Sequence, residues 1–378
     1  MGAEHPKITV LVPTFNRSDF IAECLDSLLA QSLPASQLLI INDGSNDRTL
    51  QVLEPYRDRI VYLETPQLGK PGALNRGLEK ATGEYVWIFD DDDVALPDAL
   101  ERLVTPLEAH QEHGFSYSPF YFTSTQKDSH HIGRVLSELT IPDLETRGFL
   151  VPLLENNFLG GAALFARRSC YNAVGGFDPA LVRSQDYEMA IRLARRFTGV
   201  RAPGGPTFHY RQHSGQRGSN HDRFAAHLQM KKWWEYDSIF FRRFYRELPL
   251  TEYLRPGSSL NSERRRALLQ RMGVMSGKLL LDEALQDLGE LARLEDTSPF
   301  SEEERSIVRS MIRTNYRRTW NLFSNRAFPG EIRRLSASSK TVALLRKELL
   351  GAIAHHCREK PGLKRILRGG LQALFLLR

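Results

Sequence analysis

Four consecutive aspartates, Asp90–Asp93, directly follow the apolar segment Tyr85–Phe89. On an extended chain alternate side chains point the same way, so the carboxylates of Asp90 and Asp92 converge on one point. Adjacent carboxylates repel one another unless a cation offsets their charge. Hard divalent ions such as Mg²⁺ or Mn²⁺ prefer oxygen ligands and keep substrate phosphates in their shell. At the end of a buried strand this run indicates a metal site; the alternative is a solvated acidic turn before the helix that Pro97 begins.

Two further loops carry polar side chains that suit a phosphorylated nucleoside. The segment Asn42-Asp43-Gly44-Ser45 ends an apolar run, and the Asp43 carboxylate can accept a hydrogen bond from the imide N–H of uracil or thymine. The alternative for this segment is an ordinary Asp-Gly turn. In Gly69-Lys70-Pro71-Gly72, Lys70 can meet a phosphate as a point charge. The same four residues also suit a plain loop.

Strand and helix patterns alternate through the first hundred residues and must position these side chains. The predicted strands are Ile8–Val12, Leu38–Ile41, Ile60–Leu63 and Tyr85–Phe89, and helices are predicted from Ser18, Asn46, Ala73 and Pro97. Repeated β-α-β units imply a mainly parallel sheet with helices on both faces. In such sheets ligands bind beyond the carboxyl ends of the strands. The polar clusters at residues 13–17, 42–45 and 90–93 lie at those ends.

The pattern changes to mostly helical from about residue 222. Residues 224–245, 262–281 and 302–323 have helical spacing, and residues 362–378 place Leu and Ile side chains on one helical face with basic residues away from it. The chain has 378 residues and a net charge of +6, but residues 331–378 hold 11 Lys and Arg against 3 Asp and Glu. The other 330 residues therefore carry a net charge of −2. This distribution argues against nucleic-acid binding by the body of the protein.

Cysteine usage and hydropathy indicate the compartment. Cys24, Cys170 and Cys357 are far apart and form no C-x-x-C pair, so neither a disulfide framework nor a zinc site is expected. A reducing cytoplasm fits this pattern best. The apolar run after the N-terminus is too short for a secretory signal. No stretch approaches the roughly 18 apolar residues that span a bilayer, so we expect a soluble or peripheral protein.

A set of short motifs, in one order along residues 7–215, resembles a family 2 glycosyltransferase of the GT-A fold. The motifs are Val12-Pro13-Thr14-Phe15-Asn16-Arg17, Asn42-Asp43-Gly44-Ser45, Gly69 with Ala73-Leu74-Asn75-Arg76-Gly77, Gly83-Glu84-Tyr85, Phe89-Asp90-Asp91-Asp92-Asp93 with Pro97, Gly175-Gly176-Phe177-Asp178, Gln185-Asp186-Tyr187-Glu188 with Arg192, and Tyr210-Arg211-Gln212-His213. Each motif alone is modest, whereas the ordered set is specific. The resemblance implies an α/β GT-A nucleotide-diphospho-sugar transferase fold, and the helical spacing from about residue 222 predicts a mostly helical C-terminal region after it. The predicted domains are a catalytic domain at 1–220, a helical accessory region at 221–330 and a basic tail with an amphipathic helix at 331–378.

The resemblance also implies an inverting, metal-dependent transfer of a sugar from a nucleoside diphosphate donor, with a UDP-sugar favoured, to a glycan or lipid-linked acceptor hydroxyl. Asp186 is the implied general base, and Asp92 is the implied ligand of the Mn²⁺ or Mg²⁺ ion that bridges the diphosphate. His213 is implied to contact the metal or the diphosphate. The residues expected to bind substrate are Pro13, Thr14, Asn16, Arg17, Asp43, Lys70, Asp90 and Asp91. Cell-surface polysaccharide or glycolipid synthesis is the expected role.

Two positions depart from the family pattern, and other classes of protein compete with this interpretation. Asn42 and Gln185 stand where the family often has Asp and Glu, although the second acidic residue of each pair is present. A sugar-1-phosphate nucleotidyltransferase usually has a Gly-rich N-terminal loop, which Pro13–Arg17 is not. A haloacid-dehalogenase-like phosphatase has an Asp-x-Asp nucleophile after its first strand, where this chain has Pro13-Thr14. A non-catalytic sugar-nucleotide-binding protein is favoured by loss of the base, but Asp186 is present.

The C-terminal helix predicted over residues 362–378 has two interpretations. A basic amphipathic helix binds an anionic membrane surface, which would make the enzyme peripheral on the inner face of the cell membrane and bring it to a lipid-linked acceptor. The alternative is that the apolar face packs on the helical region. Gly369-Gly370 weakens an isolated helix by about 1 kcal/mol per glycine.

Overall fold

The computed structural model describes residues 6–126, 128–213, 228–313 and 327–359. The chain divides into two compact units. The first comprises Met1–Asp143 and Asn156–Trp233, and the second comprises Leu144–Glu155 and Trp234–Arg378. This division does not decide the domain limits expected at residues 220 and 330, which stay predictions.

Strands and helices alternate along the first part of the chain, as predicted. In chain order they are β1 (Ile8–Thr14), α1 (Ile21–Leu29), β2 (Gln37–Asn42), α2 (Thr49–Leu53), β3 (Val61–Glu64), α3 (Gly69–Lys80), β4 (Tyr85–Ile88), β5 (Val94–Ala95), α4 (Ala99–Ala109) and β6 (His113–Tyr117). They are followed by β7 (Tyr121–Thr125), β8 (Ile132–Glu138), α5 (Leu150–Glu155), β9 (Leu164–Arg167), α6 (Arg168–Val174), α7 (Gln185–Arg196), β10 (Thr198–Arg201) and β11 (Phe208–Gln212). Of these elements, α5 belongs to the second unit. Helix α3 begins at Gly69, so the Gly-Lys-Pro-Gly segment forms its first turn rather than a loop.

The first unit is built on a seven-stranded sheet in the order β10-β6-β9-β4-β1-β2-β3. Strand β1 runs parallel to β2 and β4, β2 runs parallel to β3, and β10 runs parallel to β6. Only β9 among the sheet's strands is antiparallel to its neighbours β4 and β6. The mainly parallel sheet predicted from the repeated β-α-β pattern is therefore confirmed.

The core of this unit explains why the apolar runs form central strands. Every residue of β1 is buried, and α1 buries the side chains that its helical spacing places on one face, Ile21, Cys24, Leu25 and Leu28. Helix α3 lies close to β1 and β2 at Gly77, where a Cβ would lie 2.5 Å from Leu11 Cδ1 and 2.9 Å from Ile41 Cδ1. A larger residue at Gly77 would push the helix off the sheet, and with it the first turn that carries Lys70.

A second, four-stranded sheet in the order β5-β11-β7-β8 lies in the same unit and was not expected from the sequence. Strand β11 is parallel to β7 and antiparallel to β5, and β7 is antiparallel to β8. Strand β5 has two residues, and the β7–β8 pairing shifts register between Phe122 and Thr123. Such short and irregular strands lack the extended apolar alternation that predicts a strand.

The second unit is helical, as predicted. Its helices follow one another as α8 (Gln229–Glu247), α9 (Leu260–Gly277), α10 (Leu281–Ala292), α11 (Glu302–Arg313), α12 (Ala327–Ser336) and α13 (Lys340–Glu359), of which α8 begins at the end of the first unit. Helix α9 packs against α10 and α11, and α13 packs against α11 and α12. Buried ion pairs cross this unit, with Arg265 Nε 2.8 Å from Glu304 and Arg271 Nη2 2.6 Å from Asp287. The predicted amphipathic helix at 362–378 lies outside the described residues.

Within the ranges that the structure describes, no helix combines the length and the apolar composition needed to cross a membrane.

Candidate active site

The carboxyl ends of β1 and β2 are joined by a set of loop hydrogen bonds. The backbone N–H of Asp43 donates to the Thr14 carbonyl at 2.9 Å, and that of Asn16 donates to Ser45 Oγ at 2.9 Å. Asn16 Oδ1 accepts the backbone N–H of Asn46 at 2.9 Å. Asn16 has a left-handed backbone (φ 54°), which asparagine tolerates better than most residues. The two predicted nucleoside-binding segments therefore support each other directly.

The acidic run after β4 gathers three carboxylates. Ligand oxygens of Asp90, Asp92 and Asp93 lie within 4.8 Å of one another. Asp93 is fully buried; its Oδ1 accepts the backbone N–H of Arg211 at 2.9 Å, while its Oδ2 has no hydrogen-bond partner. Burial, reinforced by the charges of Asp92 and Asp90, raises the pKa of Asp93. An all-oxygen set with an orphaned buried carboxylate oxygen fits a hard divalent cation. Nothing in the sequence distinguishes Asp93 from its neighbours in the run.

His213 and Asp92, both predicted to contact the metal, lie together. His213 Nε2 is 3.1 Å from Asp92 Oδ2, and the His213 side chain is almost fully buried. The ring of Phe20 packs on the imidazole with 4.9 Å between centroids. His213 Nδ1 is buried without a hydrogen-bond partner. His213 directly follows β11, and this strand therefore places it beside the acidic run despite the distance between them in the sequence.

Two cations pair with the first two aspartates of the run, Asp90 and Asp91. Lys70 Nζ lies 2.5 Å from Asp90 Oδ1, and Arg17 Nε lies 3.4 Å from Asp91 Oδ1. Burial raises the pKa of Asp91 to about 7, although the Arg17 guanidinium acts to lower it. Burial acts to lower the pKa of Lys70, but the carboxylates of Asp90 and Asp186 outweigh it and raise that pKa. These pairs place positive charge beside the carboxylates, where a diphosphate would need it.

Asp186, the predicted base, lies in the first turn of α7. Its Oδ2 accepts the backbone N–H of Gly161 at 3.2 Å and lies 3.4 Å from Asn157 Nδ2. Gly161 has a positive φ of 61°, and a Cβ there would lie 3.7 Å from Asp90 Oδ2. Burial raises the pKa of Asp186, although Lys70 and the Gly161 N–H act to lower it. A raised pKa suits a carboxylate that accepts a proton.

Asp43 makes contacts that the sequence does not reveal. Its Oδ1 accepts hydrogen bonds from Thr65 Oγ1 and the backbone N–H of Leu68, both at 2.7 Å, and its Oδ2 accepts the backbone N–H of Gly69 at 2.7 Å. The carboxylate therefore fixes the start of α3, where Lys70 follows. Its expected contact with a nucleobase stays a prediction.

Arg211 is a buried residue of the site that sequence reasoning missed. Its Nε donates to the Asp92 carbonyl and its Nη2 to Glu23 Oε2, each at 2.5 Å, and its Nη1 donates to the His130 carbonyl at 2.5 Å. The backbone N–H of Arg211 also donates to Asp93. These contacts connect α1, the β7–β8 turn and the acidic run through one residue. The only available signal was its position two residues before His213.

The Gly175–Asp178 motif is held from two sides. The Arg192 guanidinium donates to the carbonyls of Val174, Gly175 and Gly176 at 2.7 to 3.0 Å. On the other side, the Asn75 side chain both donates to and accepts from the backbone of Phe177, at 2.9 and 2.7 Å. This bracing fixes Phe177, whose ring faces the cavity described next.

One cavity of the first unit brings the two predicted halves of the chemistry together. Lys70 and Asp90 line it from the side of the acidic run, and Gln185 and Asp186 line it from α7. The rest of the wall is mostly apolar and consists of Leu74, Ile88, Leu159, Gly161, Leu164, Tyr171, Phe177, Met189, Ala190 and Leu193. The cavity encloses about 30 Å³, far less than the roughly 300–1,000 Å³ of a typical small-molecule site, so a bound substrate would contact its polar end rather than fill it.

Residues 9–173 match the model of the family "Glycosyl transferase family 2". An uncharacterized glycosyltransferase of Rickettsia typhi is 27% identical over 190 residues, which cover 50% of this chain and 59% of that protein. An uncharacterized glycosyltransferase of Mycoplasma pneumoniae is 38% identical over 120 residues, covering 30% of this chain and 39% of that protein. The chain therefore spans less than two thirds of the length of these relatives.

Among solved structures, S. aureus TarS 1–349 in complex with UDP-GlcNAc aligns with 95% of this chain and 93% of its own, at 15% identity and a TM-score of 0.51. At this identity the likeness concerns the fold alone. The predicted fold is confirmed: a GT-A α/β domain is followed by a mostly helical C-terminal region. The family match and the names of the relatives support a family 2 glycosyltransferase domain.

Proposed function

We propose that the protein is an inverting glycosyltransferase that moves a sugar from a nucleoside diphosphate donor to an acceptor hydroxyl. The observation that carries this proposal is that Lys70, Asp90 and Asp186 line one cavity. Single displacement at an anomeric carbon needs a base on the acceptor side and charge stabilisation on the leaving-group side. Asp186 on α7 and the acidic run after β4 supply these two functions from separate elements of the fold.

On the leaving-group side, Asp92, His213, Asp90 and Asp93 are the residues that would hold a divalent cation. When bound, such an ion offsets the charge that develops on the departing diphosphate. Lys70 contributes a further positive charge next to Asp90. The family match and the three-carboxylate cluster support a divalent cation, and we propose Mn²⁺ or Mg²⁺ because all three carboxylates offer oxygen ligands.

On the acceptor side, Asp186 takes the proton of the attacking hydroxyl. Its Oδ2 accepts hydrogen bonds from Gly161 and Asn157, which orient the carboxylate. A positioned carboxylate base typically contributes about 10²–10⁴-fold to the rate. Besides Asp186, the described residues that line the cavity include one carboxylate, that of Asp90, and its Oδ1 is paired with Lys70. This arrangement favours inversion of the anomeric configuration.

For the donor, we propose a UDP-sugar transferred as a hexosyl or related group. The Pro13–Arg17 segment and Asp43, at the ends of β1 and β2, are the expected nucleoside contacts. The TarS structure of similar fold contains UDP-GlcNAc, which makes this compound the first donor to test. The proposed acceptor is a glycan or a lipid-linked glycan in cell-surface polysaccharide or glycolipid synthesis.

We further propose that the enzyme works in the cytoplasm, peripherally on the inner face of the membrane. The support is the excess of basic residues over 331–378 and the apolar periodicity of 362–378 in the sequence. A peripheral location would bring the cavity to a lipid-linked acceptor.

The proposal is tested by screening nucleotide sugars for Mn²⁺-dependent hydrolysis and transfer. We expect wild-type protein to cleave at least one UDP-sugar, and excess EDTA to abolish that reaction. The product of transfer, analysed by NMR, should have the inverted anomeric configuration. A retained configuration would require another mechanism, and the absence of nucleotide-sugar binding would remove the proposal altogether.

A further inference from the structure

The Gln185 side chain is buried next to the candidate base with an unsatisfied amide oxygen. Gln185 is the first residue of α7 and is 5% exposed. Its Oε1 has no hydrogen-bond partner. Leaving a buried acceptor unsatisfied costs about 1–3 kcal/mol, and most buried polar atoms in proteins have a partner. A group that is unsatisfied in the free protein is a natural contact for a ligand.

The surroundings of Gln185 identify the chemistry of that ligand. Lys70 and Asp90 line the same cavity on the side expected to hold the diphosphate, and Asp186 lines it on the side of the acceptor. A group lying between them in the proposed reaction is the sugar that is transferred. Sugar hydroxyls donate and accept hydrogen bonds, which an amide can match, and the mostly apolar remainder of the wall suits the C–H faces of a sugar ring.

We infer that Gln185 binds the sugar of the nucleoside diphosphate donor, its amide oxygen accepting a hydrogen bond from a sugar hydroxyl, and so helps to select that sugar. This inference rests on the proposed function, since it assumes that the donor sugar lies against the polar end of this cavity, where Lys70, Asp90 and Asp186 are found. A neutral amide suits the position, because a glutamate would add negative charge beside Asp90 and Asp186 with Lys70 as the one cation of the lining.

The variant Gln185→Met tests this inference, because methionine keeps the length of the side chain and removes its polar atoms. Isothermal titration calorimetry with Mn²⁺ would compare UDP with UDP-GlcNAc, UDP-glucose and UDP-galactose on wild-type and variant proteins. For the best-binding UDP-sugar we expect the variant to lose about 3–10-fold in affinity, as one neutral hydrogen bond implies. Affinity for UDP should not change. The melting temperature of the ligand-free variant should equal or exceed that of the wild type, since an unsatisfied amide oxygen is removed from a buried position.

Gln31 provides a matched control. It is also buried, but its amide donates to the carbonyls of Ser27 at 3.0 Å and Leu96 at 2.7 Å and accepts the backbone N–H of Leu100 at 3.0 Å. Gln31→Met should therefore lower the melting temperature and leave the ratio of UDP-sugar to UDP affinity unchanged. The two substitutions are chemically identical, so opposite effects on stability and recognition separate a ligand contact from a structural one.

Three results would overturn the inference about Gln185. If Gln185→Met binds the UDP-sugar as tightly as wild type, or loses UDP and UDP-sugar affinity equally, Gln185 does not contact the sugar while the proposed function stands. If Gln185→Met destabilises the ligand-free protein as Gln31→Met does, its amide serves the fold. If wild-type protein binds neither UDP nor any UDP-sugar, the proposed function fails and the inference fails with it.

Discussion

Replacing Arg211 by methionine tests whether this buried arginine holds the acidic run in its functional geometry. The substitution removes the donors to the carbonyls of Asp92 and His130 and the guanidinium 2.5 Å from Glu23. The Glu23 carboxylate is 20% exposed and keeps the Ile132 N–H and His131, so the cost should lie at the low end of the range for buried pairs. Removing one partner of a buried ion pair typically costs about 3–5 kcal/mol. In a protein of this size each kcal/mol shifts the melting temperature by roughly 2–4 °C. We therefore expect the melting temperature to fall by on the order of 10 °C.

Loss of stability alone would not assign a positioning role, so the same variant is measured for Mn²⁺ binding at a temperature at which it is folded. The Arg211 side chain donates to the Asp92 carbonyl, and its backbone N–H donates to Asp93. We therefore expect Arg211→Met to bind Mn²⁺ more weakly by electron paramagnetic resonance, and Arg211→Lys to recover part of the affinity. The control is Arg76→Met, because the Arg76–Glu79 pair is 60% and 58% exposed and should contribute less than about 1 kcal/mol. Unchanged Mn²⁺ affinity in a folded Arg211→Met protein would refute the positioning role.

The remaining predictions concern the acidic run, the base and the tail. Asp92→Ala should abolish transfer and weaken Mn²⁺-dependent binding of nucleoside diphosphate with the fold intact by circular dichroism; unchanged turnover would contradict the metal site. Asp186→Asn should keep donor affinity while transfer falls by roughly 10²-fold or more. Since burial raises the pKa of Asp186, wild-type activity should begin to fall on acidification at a higher pH than it would with an ordinary aspartate as base. Burial raises the folded-state pKa of Asp91 to about 7. The protonated carboxyl therefore stabilises metal-free protein at low pH, and this stability is lost as pH rises through about 7. In urea titrations Asp91→Asn should flatten this pH dependence of the unfolding free energy. Deletion after Pro361 should release the protein from anionic vesicles in cosedimentation while preserving donor hydrolysis. Vesicle binding by full-length protein should weaken with salt, because exposed charges are screened within about 8 Å at physiological ionic strength. If full-length protein does not bind such vesicles, the packed helix is favoured.

Much of the central sheet could be predicted because its central strands β1 and β2 are almost entirely buried. Ile8–Thr14 and Gln37–Asn42 form apolar runs with turn signals directly after them. The carboxyl ends of these strands fall where the polar motifs begin, so the position of the site followed from the pattern. The pairing of Asp92 with His213 followed only from the resemblance, since 121 residues separate them.

The rest depends on contacts that no local pattern records. Strand β5 is two residues long and exists because it pairs with β11, more than a hundred residues later. Arg211 reads as an ordinary arginine in an alternating strand, and its burial depends on Glu23 of α1. The hydrogen bonds of Asp43 to Leu68 and Gly69 likewise depend on where α3 meets the sheet. Buried polar contacts of this kind are set by tertiary packing.

The distribution of unsatisfied polar atoms gives an independent reason to regard this region as a binding site. Among the described residues of the first unit, the buried side-chain nitrogen and oxygen atoms without a hydrogen-bond partner belong to Thr14, Arg17, Asp93, Gln185 and His213. Arg17 Nε has instead the ion-pair contact with Asp91 at 3.4 Å. Each of these residues lies in a motif that the resemblance singles out, although the atoms were found by geometry alone. Because such atoms reduce stability when left unpaired, their concentration in one region indicates that the fold sacrifices stability there for contacts with a ligand. Among the described residues of the second unit, atoms of this kind include those of Tyr253, Ser276 and Glu283, which lie at separate positions along the chain. Among the described residues of the first unit, these atoms therefore mark the region proposed to bind substrate and cation, which also contains the candidate base and the acidic run.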